Sequence, residues 1–303
     1  MKISLFCAFI VSAVALTPAF AHAAGVAGEA PRPALWRISD ADSEIYLFAA
    51  APFLPEGKAW RSREVARAID KAESIWFEAP SADAGARAAA ADVFQKAGRY
   101  GAGATLPAAL GEDGSALLAA ATQSLEAPPA SFDALRPWAA FVVMSAELDR
   151  KRGANPAGGV ESGVLKEAVG RQRPVQFLDS VEGALRVLTD MPEKDQAALL
   201  GFLLADWTRR QENADALFDF WRTGAVDDLG ARLKTPLKEA APAAYERFVS
   251  ARAALLANRI SPLLEGEDEA FVCLGSMLVI GEDGVAAALE ALGFTVERID
   301  LAS

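Results

Sequence analysis

The side chains able to do chemistry in this 303-residue chain are few, and it contains a single histidine, His22. His22 ends an amino-terminal stretch with the pattern of a secretion signal, so we expect no imidazole inside the folded protein. Imidazole is the usual general base near neutral pH and the commonest neutral metal ligand. A Ser-His-Asp triad, a Cys-His pair and a histidine metal site are therefore excluded unless a partner supplies the ring.

The two cysteines offer little further chemistry. Cys7 belongs to the signal-like stretch, and Cys273 lies within the apolar run Phe271-Val272-Cys273-Leu274. One remaining cysteine cannot form an internal disulfide, and a nucleophilic thiol needs an activating neighbour. We interpret Cys273 as a buried structural thiol.

Polar side chains follow three apolar, strand-like runs. Glu78 ends one run, Asp179 ends another, and Ser276 follows a third by two residues. In open α/β sheets ligands bind outside the carboxyl ends of the strands, so these side chains could face a common crevice. The alternative is that the acids cap the helices that follow them, as Asp179 and Ser180 would do.

Two further charges complete the candidate set. Arg252 falls on the apolar face of a predicted helix, and a charge there must pair or reach solvent, because burying it alone is costly. Its face is marked by apolar residues at three- and four-residue spacing: Phe248, Val249, Leu255, Leu256, Ile260 and Leu263. Glu161 is predicted to lie at the start of a helix. An acidic residue there stabilises the helix dipole, and this structural role alone would explain Glu161. Glu78, Glu161 and Asp179 also supply the oxygen atoms that hard cations accept, although their spacing does not demonstrate a site.

The elements that must position these residues alternate between strand and helix. Strand patterns at 35–38 and 44–48 form a hairpin, followed by a helix near 62–72, a strand at 74–77 and a helix near 83–96. Residues 111–221 are largely helical, with one strand pattern at 174–178. A long helix at 241–264, a strand at 271–274, a helix after Gly281 and a strand at 294–299 complete the chain. We predict an α/β (or α+β) fold in which one sheet, built from the N- and C-terminal strands, is covered by a largely helical middle insert.

The amino terminus indicates export. Lys2 is followed by an apolar run at 5–16 and two small-x-small sites, which predict a signal peptide at 1–23, cleaved after Ala21 or Ala23. An uncleaved anchor is the alternative, but the run is shorter than the ~20 residues that span a bilayer. We expect a flexible leader at 24–33, a single domain at 34–303, no transmembrane segment after cleavage, and a periplasmic or extracellular location in a bacterium.

Composition narrows the class of partner. The chain is 52% hydrophobic, which permits a large core, and its net charge is −11. Phosphate contact needs a surplus of Lys and Arg on one face, so nucleic-acid binding is excluded.

A series of short segments resembles the TraB/GumN family over residues 35–299. They are Leu35-Trp36-Arg37-Ile38-Ser39-Asp40, Tyr46-Leu47-Phe48, Leu54-Pro55-Glu56-Gly57, Trp60-Arg61-Ser62, Ile75-Trp76-Phe77-Glu78, Arg136-Pro137-Trp138, Gly159-Val160-Glu161, 174–180, Phe220-Trp221-Arg222-Thr223-Gly224 and 271–284. The resemblance implies kinship with Tiki-type metalloproteases. Members of the TraB/GumN family usually carry two elements, each a strand followed by Gly-x-x-His, that are thought to build a metal-dependent hydrolytic site.

This chain departs from the family pattern at both elements. The first has Ala49 in the glycine position and Pro52 in the histidine position; the second keeps Gly275 but has Leu278 in the histidine position. Neither proline nor leucine has a side-chain donor or acceptor, so inherited metal hydrolysis is doubtful. We expect these two vacant ligand positions to approach each other, and we expect no bound metal or other cofactor.

The resemblance also assigns expected roles to surviving residues. Glu78 matches the family's acidic residue after an apolar strand, which implies a catalytic or metal-linked role, and Arg252 matches the first arginine of an Arg-Asn-Arg-like segment. A pair between them would be a remnant of the site, which we favour, or a structural bridge. Glu161 stands where the family often has aspartate. Glu161, Asp179 and Ser276 are candidate binding residues.

Three functions remain open from the sequence. The first is a non-catalytic module with a degenerate metal-hydrolase site, binding an unidentified ligand or envelope protein. The second is a hydrolase that works through carboxylates or an oxygen-ligated divalent cation. The third is a structural envelope protein.

Overall fold

A computed structural model describes residues 30–51, 54, 58–81, 83–151, 159–205, 207, 214–266 and 269–299. Six strands in these ranges form one mixed sheet, in the order β4-β3-β5-β2-β1-β6. They are β1 (Leu35–Ser39), β2 (Glu44–Ala50), β3 (Ser74–Phe77), β4 (Val175–Phe177), β5 (Ala270–Gly275) and β6 (Thr295–Arg298). The predicted signal peptide at 1–23 and residues 24–29 of the predicted leader lie outside the described residues. Within the rest of the leader, Pro31 and Pro33 are buried and the Arg32 N–H donates to the Arg222 carbonyl at 2.6 Å.

The strand directions bring four carboxyl ends to one side of the sheet. β5 is parallel to both β2 and β3, β4 is parallel to β3, and β1 is antiparallel to β2 and β6. Ala50 at the end of β2 pairs with Gly275 at the end of β5. We call the side where β2, β3, β4 and β5 end the carboxyl edge.

Helices fill the connections, and side-chain caps explain where several of them begin. Ser62, Asp83 and Ser180 accept hydrogen bonds from backbone N–H groups three residues ahead, at 3.1, 2.8 and 3.0 Å. The helices are α1 (Arg63–Lys71), α2 (Ala84–Ala97), α3 (Leu106–Ser124), α4 (Pro137–Lys151), α5 (Val160–Gly170), α6 (Val181–Thr189), α7 (Glu193–Ala205), α8 (Ala214–Thr223), α9 (Val226–Leu233), α10 (Thr235–Ala240), α11 (Pro242–Tyr245), α12 (Ala251–Ile260), α13 (Ser276–Val279) and α14 (Val285–Ala291). The predicted α/β architecture, with strands at both ends and a helical middle, is confirmed.

The long helix predicted at 241–264 is present as a continuous helical segment from Pro242 to Leu264, but its hydrogen bonding changes at two places. A π-helical turn at Glu246–Ser250 separates α11 from α12, and a 3-10 turn at Ser261–Leu264 follows Ile260. Pro262 lies in that last turn, consistent with a residue that cannot continue a helix. Leu255, predicted on the buried face, is 41% exposed, because the buried face of α12 is formed by its neighbours Arg252, Ala253, Leu256, Ala257 and Ile260.

Two hydrophobic clusters result from this layout. One surrounds the sheet and includes Phe48, Phe271 and Leu256. The other lies among the helices of the middle insert and includes Trp138 and Val249. Val249, within the π turn, and Leu256, in α12, therefore pack into different clusters, and the segment 246–260 joins the two.

Within the described ranges, no helix combines the length and the apolarity needed to cross a bilayer.

Candidate functional site

Three predicted residues follow strands that end at the carboxyl edge. Glu78 comes directly after β3, Asp179 comes two residues after β4, and Ser276 comes directly after β5. The Asp179 N–H donates to the Glu78 carbonyl at 2.8 Å, which continues the pairing of β3 and β4 beyond the strands. Their convergence at one edge, predicted from the apolar runs, is present.

Arg252 binds two members of this group, Glu78 and Asp179, and is almost fully buried, with 2% of its side chain exposed. Its Nε and one terminal nitrogen donate to Glu78 Oε1 at 2.9 and 2.8 Å, and its other terminal nitrogen donates to Asp179 Oδ2 at 2.6 Å. Burial disfavours the charged form, but Glu78 and Asp179 outweigh it and raise the pKa of Arg252. The pair considered from the sequence therefore forms, and Asp179 joins it.

Asp179 is held by a second arginine that the sequence analysis missed. Arg259 donates to Asp179 Oδ1 at 2.7 Å and to the Leu178 carbonyl at 2.9 Å, and the Ser180 N–H donates to Oδ1 at 2.8 Å. Burial acts to raise the pKa of Asp179, but the bonds from Arg259 and Arg252 lower it. The seven-residue spacing of the two arginines, two helical turns, was the available signal.

Asp179 does not act as the helix cap considered as its alternative role. Ser180 is the N-cap of α6, and its hydroxyl accepts from the Gly183 N–H. The carboxylate is 7% exposed and is directed to the two arginines. Asp179 therefore supports Arg252 rather than offering a free carboxylate to a ligand.

Glu161 is the second residue of α5, as the sequence predicted, and α5 contacts β4 and β5. Its surface is exposed, so solvent reaches it. Surrounding protein nevertheless desolvates the carboxyl group and, together with the charge of Glu78, raises its pKa to about 7. The contribution of Glu78 to this shift indicates that the two carboxyl groups interact electrostatically.

Ser276 reaches the carboxyl edge but is occupied there. Its hydroxyl donates to the Ala50 carbonyl at 2.5 Å, and the residue is 1% exposed. Trp221 Nε1 donates to the neighbouring Ala49 carbonyl at 2.7 Å, a role that the sequence did not indicate. Both bonds fix the end of β2, so Ser276 acts in the described structure as a structural tie.

Cys273 is buried, 1% exposed, as predicted. Desolvation, with a smaller contribution from Glu161, raises its pKa well above the usual value for a thiol. A thiol that resists ionisation is a poor nucleophile, which fits a structural role.

The structure describes only one of the two vacant ligand positions. Leu278 lies in α13 and packs, half-buried, against the sheet cluster, whereas Pro52 lies outside the described residues. Their predicted approach stays a prediction, supported by the pairing of Ala50 with Gly275. Among the residues that the structure describes, no three His, Cys, Asp or Glu side chains are grouped to hold a metal ion.

A second charged cluster lies away from these residues and was also missed. Lys234, 6% exposed, donates to the Ile280 carbonyl at 2.7 Å and to Asp283, which also accepts from the Tyr245 hydroxyl. Burial lowers the pKa of Lys234, while that of Asp283 is lowered because the bonds from Lys234 and Tyr245 outweigh burial. This cluster joins α10 and α11 to the loop before α14.

Comparison with known proteins identifies the family. The model of the TraB/PrgY/gumN family matches residues 34–298, most of the chain. No curated protein and no solved structure gives a significant match. Because this match covers well over half of the chain, the chain belongs to the TraB/PrgY/gumN family.

Proposed function

We propose that this protein is a non-catalytic binding member of its family, derived from a metal hydrolase whose site has lost its ligands. The observation that carries the proposal is the bonding state of the carboxyl edge. Arg252, Asp179 and Ser276 are buried and engaged with one another or with backbone carbonyls. Leu278 offers no donor or acceptor in place of a histidine. The residues present therefore do not fit the metal that the family implies.

The groups left accessible define what the site can bind. Glu78 has 32% of its side chain exposed, and Glu161 is exposed at the start of α5. Both are hydrogen-bond acceptors when ionised, and their mutual repulsion falls when a positive charge or donor lies between them. The ligand expected at this edge carries an amine, a guanidinium or several hydroxyl groups.

Metal analysis tests the lost site. We expect elemental analysis by inductively coupled plasma mass spectrometry to find no stoichiometric Zn, Mn or Co in protein purified without chelators. One tightly bound metal ion per chain would overturn the proposal.

Restoring the ligands tests the ancestry separately. The variant Ala49→Gly, Pro52→His, Leu278→His is expected to gain affinity for Zn²⁺ over wild type in calorimetric titration, since two imidazoles and Glu78 provide three ligands. A folded variant with no gain would show that positions 52 and 278 do not converge. Hydrolysis need not return, because supporting contacts have changed as well.

A second candidate function is favoured by the raised pKa of Glu161 beside Glu78. Two carboxyl groups with different environments can divide the roles of general acid and general base. A hydrolase of this kind would lose activity on Glu78→Gln and on Glu161→Gln but not on Glu290→Gln, an exposed control on α14. Equal activity in all three variants would reject it.

The proposed setting is the bacterial periplasm or exterior, without a bound cofactor. The amino-terminal pattern at 1–23 supports export, and the net charge of −11 argues against a nucleic-acid partner. Mass spectrometry of the mature amino terminus is expected to find His22 or Ala24 first. An intact Met1 terminus in a soluble cytoplasmic fraction would contradict export.

A further inference from the structure

The first turn of α6 leaves a space that the Asp179 carboxylate fills. A Cβ atom built on Gly183 would lie 2.0 Å from Asp179 Oδ1 and 2.6 Å from its Cγ. Real Cβ atoms do not approach other atoms so closely. Only glycine at position 183 allows the carboxylate to lie over the helix turn that its own neighbour Ser180 caps.

The carboxylate cannot simply move aside to admit a larger residue. Its Oδ2 accepts from Arg252 at 2.6 Å, and its Oδ1 accepts from Arg259 at 2.7 Å and from the Ser180 N–H at 2.8 Å. Rotation of the side chain away from Gly183 breaks these bonds together. The contact with Arg252 therefore depends on an empty position at residue 183.

Arg252 transmits this placement to Glu78. Its Nε and one terminal nitrogen both donate to Glu78 Oε1, and neither donates to Oε2 of that carboxylate, whose side chain is 32% exposed. A guanidinium is planar, so fixing the nitrogen that binds Asp179 also fixes the two nitrogens that bind Glu78.

We infer that Asp179 and Gly183 are a positioning pair: they hold Arg252, and Arg252 sets the direction in which Glu78 presents its second oxygen, Oε2, at the carboxyl edge. This rests on the proposed function only in treating Glu78 as the group that meets the ligand. Neither Asp179 nor Gly183 touches the ligand itself.

The test follows the Arg252 Nε–H group by ¹⁵N NMR in the mature chain, with water as the exchange partner. The signal is assigned by its loss in Arg252→Lys. In wild type we expect slow exchange of the Nε proton with water, because it is buried and bonded to Glu78. In Gly183→Ala we expect exchange at least tenfold faster, since Asp179 no longer holds the guanidinium.

A matched variant separates positioning from helix stability. Ser180→Ala removes the cap of α6, which weakens the helix, but it leaves the space at Gly183 open. Its Arg252 exchange rate is expected within twofold of wild type. Equal acceleration in Ser180→Ala and Gly183→Ala would overturn the inference, because helix weakening alone would then explain both.

A second variant covers the case in which Gly183→Ala does not fold. Asp179→Asn keeps the volume of the side chain and removes its charge, and we expect it also to accelerate exchange at least tenfold. Wild-type exchange in a folded Gly183→Ala or Asp179→Asn protein would overturn the inference. Since the probe is water, this result is independent of whether the protein binds a ligand, so failure of the proposed function is distinguishable.

Discussion

Replacing Arg252 with methionine tests whether the carboxyl edge is held by charge. The substitution removes three charge-assisted hydrogen bonds, each of which contributes about 1.5–3 kcal/mol in proteins. The loss is smaller than their sum because Asp179 keeps Arg259, Glu78 is accessible to water, and the buried guanidinium no longer has to be desolvated. We expect the free energy of unfolding to fall by about 3 kcal/mol at pH 7.

The pH dependence of this loss gives a second check. The pKa of Asp179 is lowered in the folded protein, so its pairing stabilises the fold above the unfolded pKa of about 3.9. That contribution disappears as the pH falls through the lower folded pKa. The difference between wild type and Arg252→Met is therefore expected to shrink below about pH 4.

Guanidinium chloride unfolding, followed by tryptophan fluorescence at several pH values, measures both effects. Arg150→Met is the control, because Arg150 forms an exposed pair with Glu147 on α4, 2.8 Å long with 68% of the arginine side chain exposed. Such pairs contribute about 0–1 kcal/mol. A loss in Arg252→Met no larger than in Arg150→Met would refute the argument that the edge depends on this charge.

Three other predictions concern the supports around the site. Trp221→Phe removes the hydrogen bond to the Ala49 carbonyl and part of a buried ring, so urea titration should show a free energy of unfolding lower by about 2 kcal/mol. An unchanged unfolding midpoint would show that this bond does not stabilise the end of β2. In the chain that starts at Ala24, Cys273 should react with a thiol reagent only after unfolding; rapid native reaction would contradict its burial. Asp283→Asn leaves the Lys234 cation buried without its carboxylate, and the free energy of unfolding should fall by about 3 kcal/mol at pH 7. This loss should shrink below about pH 4, because the bond from Lys234 outweighs burial and lowers the pKa of Asp283 in the folded protein. A loss that does not depend on pH would count against the pair.

Much of the carboxyl edge was predictable because strand ends follow from simple patterns. The apolar runs before Glu78 and Asp179 fix where two strands stop, and parallel strands bring such ends to one edge. Arg252 was predictable as a charge that needs a partner, because it lies on the apolar face of the predicted helix. These inferences need only chain order and periodicity.

The remaining parts depend on distances that periodicity does not encode. Ser276 was placed at the right edge, but whether its hydroxyl meets a ligand or the Ala50 carbonyl depends on the pairing of β2 with β5. Glycine is needed at position 183 because the Asp179 carboxylate lies against the first turn of α6. A glycine within a helical sequence pattern does not by itself predict such a contact.

Position 278, one of the two proposed ligand positions, and the hydrogen bonds at the carboxyl edge affect different properties of the protein. Ser276 and Trp221 fix the end of β2 through backbone carbonyls, and Arg252 joins the ends of β3 and β4 through Asp179 and Glu78. None of these bonds uses position 278, where leucine instead adds apolar contact with the sheet cluster. Under the proposed function a histidine at position 278 has been replaced. Such a replacement removes metal-binding chemistry without removing any of these ties, because metal binding and strand-end pairing use different atoms. The proposed loss of the ligands is therefore expected to leave the fold of this chain intact.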